Sequence, residues 1–177
     1  STTDICLDPD ESFLVSLNPS TRQVPAGDWA YTAANFAFRD GPAPVTSTNQ
    51  VYFKPVGAGT GTISVSDNKG CQASINVTVR PKPDQPVLSF ADHTGQDIEV
   101  CVNEVELEVS GTDGAEYHWY RNTDPSLFDP EDSPQKVTTT KSWKVNSGGH
   151  YAVLAVTANG CKSALSSNYL TINDAAT

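Results

Sequence analysis

The sequence predicts an all-β protein built as two small sandwiches in tandem, and three observations carry that prediction. The first is an internal repeat. Residues Gly59 to Cys71, GTGTISVSDNKGC, align without a gap on Gly149 to Cys161, GHYAVLAVTANGC, with Gly59 on Gly149, Ile63 on Val153, Gly70 on Gly160 and Cys71 on Cys161. Self-similarity of this kind marks two copies of one structural unit. The second is alternation of apolar and polar residues in short runs, with no stretch that holds a helical period. The third is turn signals recurring about every eight to twelve residues, the punctuation of a sandwich.

The elements come in order. After Cys6 and the Asp8-Pro9-Asp10-Glu11 corner, Phe13 to Leu17 alternates and reads as a strand, and Asn18-Pro19-Ser20 turns the chain. Trp29-Ala30-Tyr31 and Asn35-Phe36-Ala37-Phe38 suit short strands, with Trp29 and Phe36 or Phe38 as core rings. Val51 and Phe53 alternate up to Pro55; then comes the hairpin strand of the repeat, and Ile75, Val77 and Val79 end the first copy. Pro81, Pro83 and Pro86 make the connection a short, stiff linker, dividing the chain into domains 1–82 and 83–177.

In the second copy, Val87 to Phe90 is a strand without a counterpart in the first, and Ile98 to Val102 carries Cys101. Val105, Leu107 and Val109 point inward, which turns Glu104, Glu106 and Glu108 out as an acidic stripe. Tyr117 and Trp119 share the inner face, while His118 and Tyr120 are expected on the outer one. A polar insertion from Asn122 to Lys136 precedes Trp143 and Val145, the repeat strand, and the closing strand of Leu170 and Ile172.

Four cysteines allow three pairings. The repeat favours Cys6 with Cys71 and Cys101 with Cys161, each loop closure stabilising by about 4 kcal/mol. Two pairs suit an oxidising compartment: an extracellular or cell-surface location. No apolar run reaches the ~18 residues of a membrane span. The start at Ser1, so close to Cys6, is expected to be a cut within a longer chain. Of the formal charge of −10, residues 84–177 hold fourteen acids against five bases and residues 1–83 seven against six. Neither half has the basic face that nucleic acid requires.

In the second copy, Tyr117-His118-Trp119-Tyr120-Arg121-Asn122, Gly149-His150-Tyr151-Ala152-Val153 and Asn159-Gly160-Cys161 resemble the immunoglobulin-like repeats of secreted Bacteroidetes surface proteins, the type IX-exported and gliding-motility adhesin kind. In the first copy, Gly27-Asp28-Trp29, Phe53-Lys54-Pro55 and Gly57-Ala58-Gly59-Thr60 resemble a sister type. The resemblance implies two immunoglobulin-like domains with one disulfide each, in a non-catalytic spacer or adhesion segment whose partners are neighbouring repeats, surface glycans or another protein. The sequence departs from the pattern in two places. The cysteine after each hairpin turn would clamp one end of a sandwich, unlike the central bridge of antibody domains, and Gly61 stands in the first copy at the position equivalent to Tyr151.

Catalytic constellations are not legible. His93, His118 and His150 lack metal-ligand spacing, and no serine sits in a nucleophile elbow. Gly57 to Gly61 feeds a strand, where a dinucleotide loop would feed a helix. No cofactor is expected, with calcium the one candidate ion: Asp124, Asp129, Glu131 and Asp132 offer hard oxygens in one loop, as do Asp8, Asp10 and Glu11. Tyr52 and Tyr120 are the outward rings a sugar would stack on, among Trp29, Tyr31 and Trp143. They define the rival expectation, a carbohydrate-binding accessory module of a secreted enzyme or adhesin.

Overall fold

The computed structural model describes residues 2–8, 11–16, 29–41, 45–46, 50–67, 69–100, 104–114 and 116–174. The chain divides into two compact units, Ser1–Pro81 and Lys82–Thr177. All regular structure among the described residues is β except one 3-10 turn, Pro125–Leu127.

In the first unit, β1 (Thr2–Cys6), β8 (Gln72–Arg80), β7 (Gly59–Ser66), β3 (Trp29–Ala34) and β5 (Val45–Thr46) form a five-stranded sheet in that order. A second sheet runs β2 (Phe13–Ser16), β6 (Gln50–Pro55), β4 (Phe36–Phe38). Alternation makes the core. Tyr31, Ile63, Val65, Val77 and Val79 from the large sheet meet Phe36, Val51 and Phe53 from the small one, with Phe13 and Phe38 at the margin. Burying the apolar half of each strand stabilises the unit by about 25 cal/mol per Å² removed from water. The side chain of Trp29, expected in this core, lies outside the described residues.

Gly61 shows why the first copy has no counterpart of Tyr151. A Cβ at Gly61 would lie 2.3 Å from the Ala34 carbonyl and 2.4 Å from the Phe36 ring. The small residue makes room for Phe36, so each copy fills its core with an aromatic ring from a different strand.

In the second unit, β10 (Asp97–Val100), β16 (Leu170–Asp174), β15 (Gly149–Val156), β12 (Glu116–Asn122) and β13 (Lys136–Thr138) form the large sheet. The small one is β14 (Ser142–Val145), β11 (Val105–Ser110), β9 (Val87–Phe90). Leu88, Phe90, Leu107 and Val109 pack on Tyr117, Trp119, Tyr151, Val153 and Leu170, and Trp143 lies half-buried within 6 Å of both the Trp119 and Tyr151 rings (5.8 and 5.7 Å). Pro86 is fully buried and its carbonyl accepts from the Ser167 amide at 2.9 Å, so this third linker proline is part of the unit. The strand Val87–Phe90 pairs antiparallel with β11.

The turn after the repeat strand is the same in both copies. The cysteine carbonyl accepts from the amide of the first turn residue (Asp67 N to Cys71 O 3.0 Å, Thr157 N to Cys161 O 2.9 Å), and a side-chain oxygen of that first residue accepts from the cysteine amide at 2.8 and 3.0 Å. Gly70 and Gly160 supply the positive φ, +80° and +82°, that the turn demands. Past the cysteine the copies diverge. The first continues into β8, while the second makes a single bridge, Val156 to Lys162, and then hangs from β15 through Ser163 and Ser166.

The disulfide expectation for the first copy is overturned by strand register. Cys6 pairs with Arg80 at one end of β8, and Cys71 precedes Gln72 at the other. Eight residues separate Gln72 from Arg80 (80 minus 72), which is about 26 Å of strand at ~3.3 Å per residue. A disulfide tolerates about 7 Å between Cα atoms. Cys6 is disulfide-bonded, but Cys71 is out of its reach.

Gly61→Ala is expected to destabilise the chain by about 1–3 kcal/mol through overpacking against Phe36 and the Ala34 carbonyl. Urea unfolding with an unchanged midpoint would show that this crowding is relieved at no cost. Trp119→Ala, which empties a ring-sized space between the sheets of the second unit, should cost about 3–5 kcal/mol in the same assay.

Candidate ligand-binding surface

The outer face of the second unit is where the sequence places its ring and its acids, and the structure folds them onto each other. Tyr120 is on the outward side of β12, yet it is 5 % exposed. Leu154 and Val156 flank it from β15, and Phe128 and Leu165 pack over it. The segment Asn122 to Lys136 is the cover: the Gln135 amide donates to the Trp119 carbonyl at 2.7 Å, and the Tyr120 hydroxyl donates to the Pro130 carbonyl at 3.2 Å. The outward, stackable Tyr120 expected from alternation is therefore corrected. Period two fixes which face a residue takes, and the inserted loop has turned that face into a second, small core. Burial, then the nearby carboxylates of Glu131, Asp132 and Asp129, push the Tyr120 hydroxyl above its ordinary pKa.

The acids of this loop do structural work. Asp124 caps the 3-10 turn, its Oδ1 accepting from the Ser126 amide at 2.9 Å and the Ser126 hydroxyl at 2.7 Å, and those bonds hold its carboxyl below the usual range. Asp129 Oδ1 accepts from the Glu131 amide at 2.8 Å. Glu131 lies 3.4 Å from Lys162. Among the described residues no three carboxylate, histidine or cysteine side chains gather as cation ligands do. The other acidic corner keeps Asp8 and Glu11, the Glu11 amide donating to the Asp8 carbonyl at 3.3 Å, while Asp10 lies outside the described residues.

In the first unit Tyr52 is on the outer face at 37 % exposure, as alternation predicts, but one side of its ring is taken. The Arg39 guanidinium sits 3.8 Å from the ring centroid, held there by a two-bond pair with Asp40 at 2.8 Å. Tyr31 is a core residue, its hydroxyl pushed up by burial. The three histidines stay in separate places: His93 edges the Phe90 ring, His118 Nε2 is 3.4 Å from Glu116, and His150 Nδ1 is 3.0 Å from the Thr171 hydroxyl. Sequence reasoning misses Asn168, whose amide nitrogen and oxygen bond both the Leu88 carbonyl and amide at 2.8 Å and so tether the β9 strand. An asparagine in an irregular polar stretch carries no periodic signal.

The chain matches no known family by sequence, and no curated protein matches it. Among solved structures it is similar to murine CEACAM1b (13 % identity over 98 % of this chain and 95 % of that one, TM-score 0.42) and to the fibronectin(III)-like modules of Clostridium thermocellum CbhA (9 %, 98 % and 90 %, 0.44). It is also similar to the C-terminal 282-residue fragment of intimin, solved in complex with the intimin-binding domain of its translocated receptor (13 %, 97 % and 60 %, 0.48).

Tyr120→Phe should lose about 1 kcal/mol with the bond to Pro130, and Tyr120→Ala about 3–5 kcal/mol as the small core empties. A raised folded-state pKa contributes stability that is present below the unfolded value, about 10, and lost as pH rises through the folded one. Urea midpoints measured upward from pH 9 should therefore fall less steeply in Tyr120→Phe than in the parent; parallel curves would count against a buried hydroxyl. With the acids engaged in turns, melting in calcium and in chelator at fixed ionic strength is expected to coincide. A site filled at a hundred times its Kd would add about 2.7 kcal/mol, moving Tm by more than ~10 °C in so small a domain.

Proposed function

We propose that this chain is a non-catalytic segment of a large bacterial cell-surface protein, two immunoglobulin-like repeats that space and present a binding region. The observation that supports this is the path of the chain through the second unit. It arrives at Pro86 and Val87, beside Ser167, and β16 then runs away from that end, so that Asp174 finishes level with Val100 at the opposite one. A module whose chain enters at one end and leaves at the other is suited to repetition in line. Core aromatics, turn-capping carboxylates and an arginine-covered tyrosine all serve the fold. Export to an oxidising exterior, in the manner of the type IX-exported Bacteroidetes surface proteins, agrees with the bonded cysteines. The partners in this reading are neighbouring repeats of the same protein.

Replacing residues 1–177, in the protein that carries them, by two unrelated sandwiches of equal length tests the reading. Retained cell adhesion is the expected result. Loss of adhesion, with glycan-array binding by the isolated chain that Tyr52→Ala abolishes, would establish the carbohydrate-binding module instead.

A further inference from the structure

We propose that the outer edge of β2 in the first unit is a docking site for an extended segment of a partner protein, which adds to the small sheet as a strand antiparallel to β2. The second unit shows what such an edge holds. Chain order and pairing match β2 with β11, β6 with β14 and β7 with β15. In the second unit β11 lies between β14 and β9, bonded on both edges. In the first, β2 pairs with β6 on one side, and among the described residues no strand takes the other.

The backbone of β2 is turned to receive one. The Arg39 amide donates to the Tyr52 carbonyl at 3.0 Å, so Tyr52 directs its backbone groups to the β4 side, and Val51 and Phe53 direct theirs to β2. Phe13 and Val15 take those bonds, which leaves the amides and carbonyls of Leu14 and Ser16 facing out of the sheet. Glu106 faces the same way on β11, and there its carbonyl accepts from the Ala91 amide, just past β9, at 3.0 Å.

Packing beside β2 has the matching shape. Val105, Leu107 and Val109 of β11 are buried, whereas Phe13 and Val15 are half-buried. A cleft of about 140 Å³ opens between Val15 and Ile75, and one of about 290 Å³ among Phe13, Ile5 and Pro55. The two lie two residues apart along one face of β2, about 7 Å, which is the spacing of alternate side chains on a strand. β9 uses that spacing in the second unit: Leu88 and Phe90 point into the core while Val87 and Ser89 point out.

Sheet edges are commonly guarded by lysine, by proline or by side chains that occupy the backbone groups. Asn168 occupies both groups of Leu88 on β9, and β14 carries Lys144. β2 reads Phe-Leu-Val-Ser, uncharged, with Leu14 41 % exposed. The β2 of a second copy is a poor occupant, because its own Phe13 and Val15 are committed to its own core and would leave both clefts unfilled. The segment that fits is one of β9's kind, extended and apolar at alternate positions, held by main-chain bonds and by those two side chains. Such an edge suits a spacer and a binding module alike, so its failure would leave the proposed function standing.

The test uses the whole chain and, as probe, a fluorescein-labelled synthetic peptide with the sequence of residues 84–92, DQPVLSFAD. Saturable binding by fluorescence anisotropy is expected, with slowed hydrogen exchange at the Leu14 and Ser16 amides. N-methylating the peptide at Ala91 removes a donor to β2 and should weaken binding about tenfold. Leu14→Pro, which removes an amide that bonds nothing in β6, should weaken it as much; the methylated peptide carries the result if that variant folds poorly. Absence of saturable binding, binding that N-methylation leaves unchanged, or slowed exchange at β11 in place of β2 overturns the proposal. A dimer of the chain alone that Leu14→Pro dissociates would assign the edge to a second copy, and overturns it as well.

Discussion

The second unit depends on β15 being buried on both faces. Tyr151 to Val156 are six consecutive buried residues. One face carries Tyr151, Val153 and Ala155 into the space between the sheets; the other carries Leu154 and Val156 against Tyr120. A strand in that position tolerates no polar side chain on either side, and it obliges something to cover its outer face. The inserted segment from Asn122 to Lys136 is that cover. Its prolines, its 3-10 turn and its aspartate caps shape a surface lid whose apolar underside is Phe128. The first unit has no such demand on β7, whose outward residues Thr62 and Ser64 are partly exposed and whose Thr62 hydroxyl bonds Asn76 across the sheet at 2.9 Å.

The contrast between the two strands marks where the sequence is legible and where it is not. Strand positions and inner faces can be read because a two-residue period is a local property: Val105, Leu107 and Val109, or Val77 and Val79, identify their face unaided. Tyr120 escapes that reading because its environment comes from a segment that is polar on average and has no period. The available signal is β15 itself, where YAVLAV runs apolar without alternation, the mark of a strand covered on both sides. The acids of the loop look like ligands by composition and become caps by geometry, since whether Asp124 Oδ1 meets an ion or the Ser126 amide depends on turn conformation.

The cysteines extend the same point over a longer range. A repeat tells which residues are equivalent, and equivalence suggests pairing within each copy. The fold instead puts Cys6 and Cys71 at opposite ends of β8, because β1 runs parallel to the strand whose beginning Cys71 marks. Parallel pairing of the first strand with the last leaves no trace in the sequence, and it alone decides the distance.

That parallel pair has a mechanical meaning. β1 and β8 run the same way for five registered residues, Thr2 with Asn76 through Cys6 with Arg80. Tension entering at the start of β1 and leaving past the end of β8 pulls the two strands along their common axis in opposite senses. Every hydrogen bond between them is then loaded at once, and the edge of the sheet must slip as a whole where a hairpin pulled from its open end would peel one bond at a time.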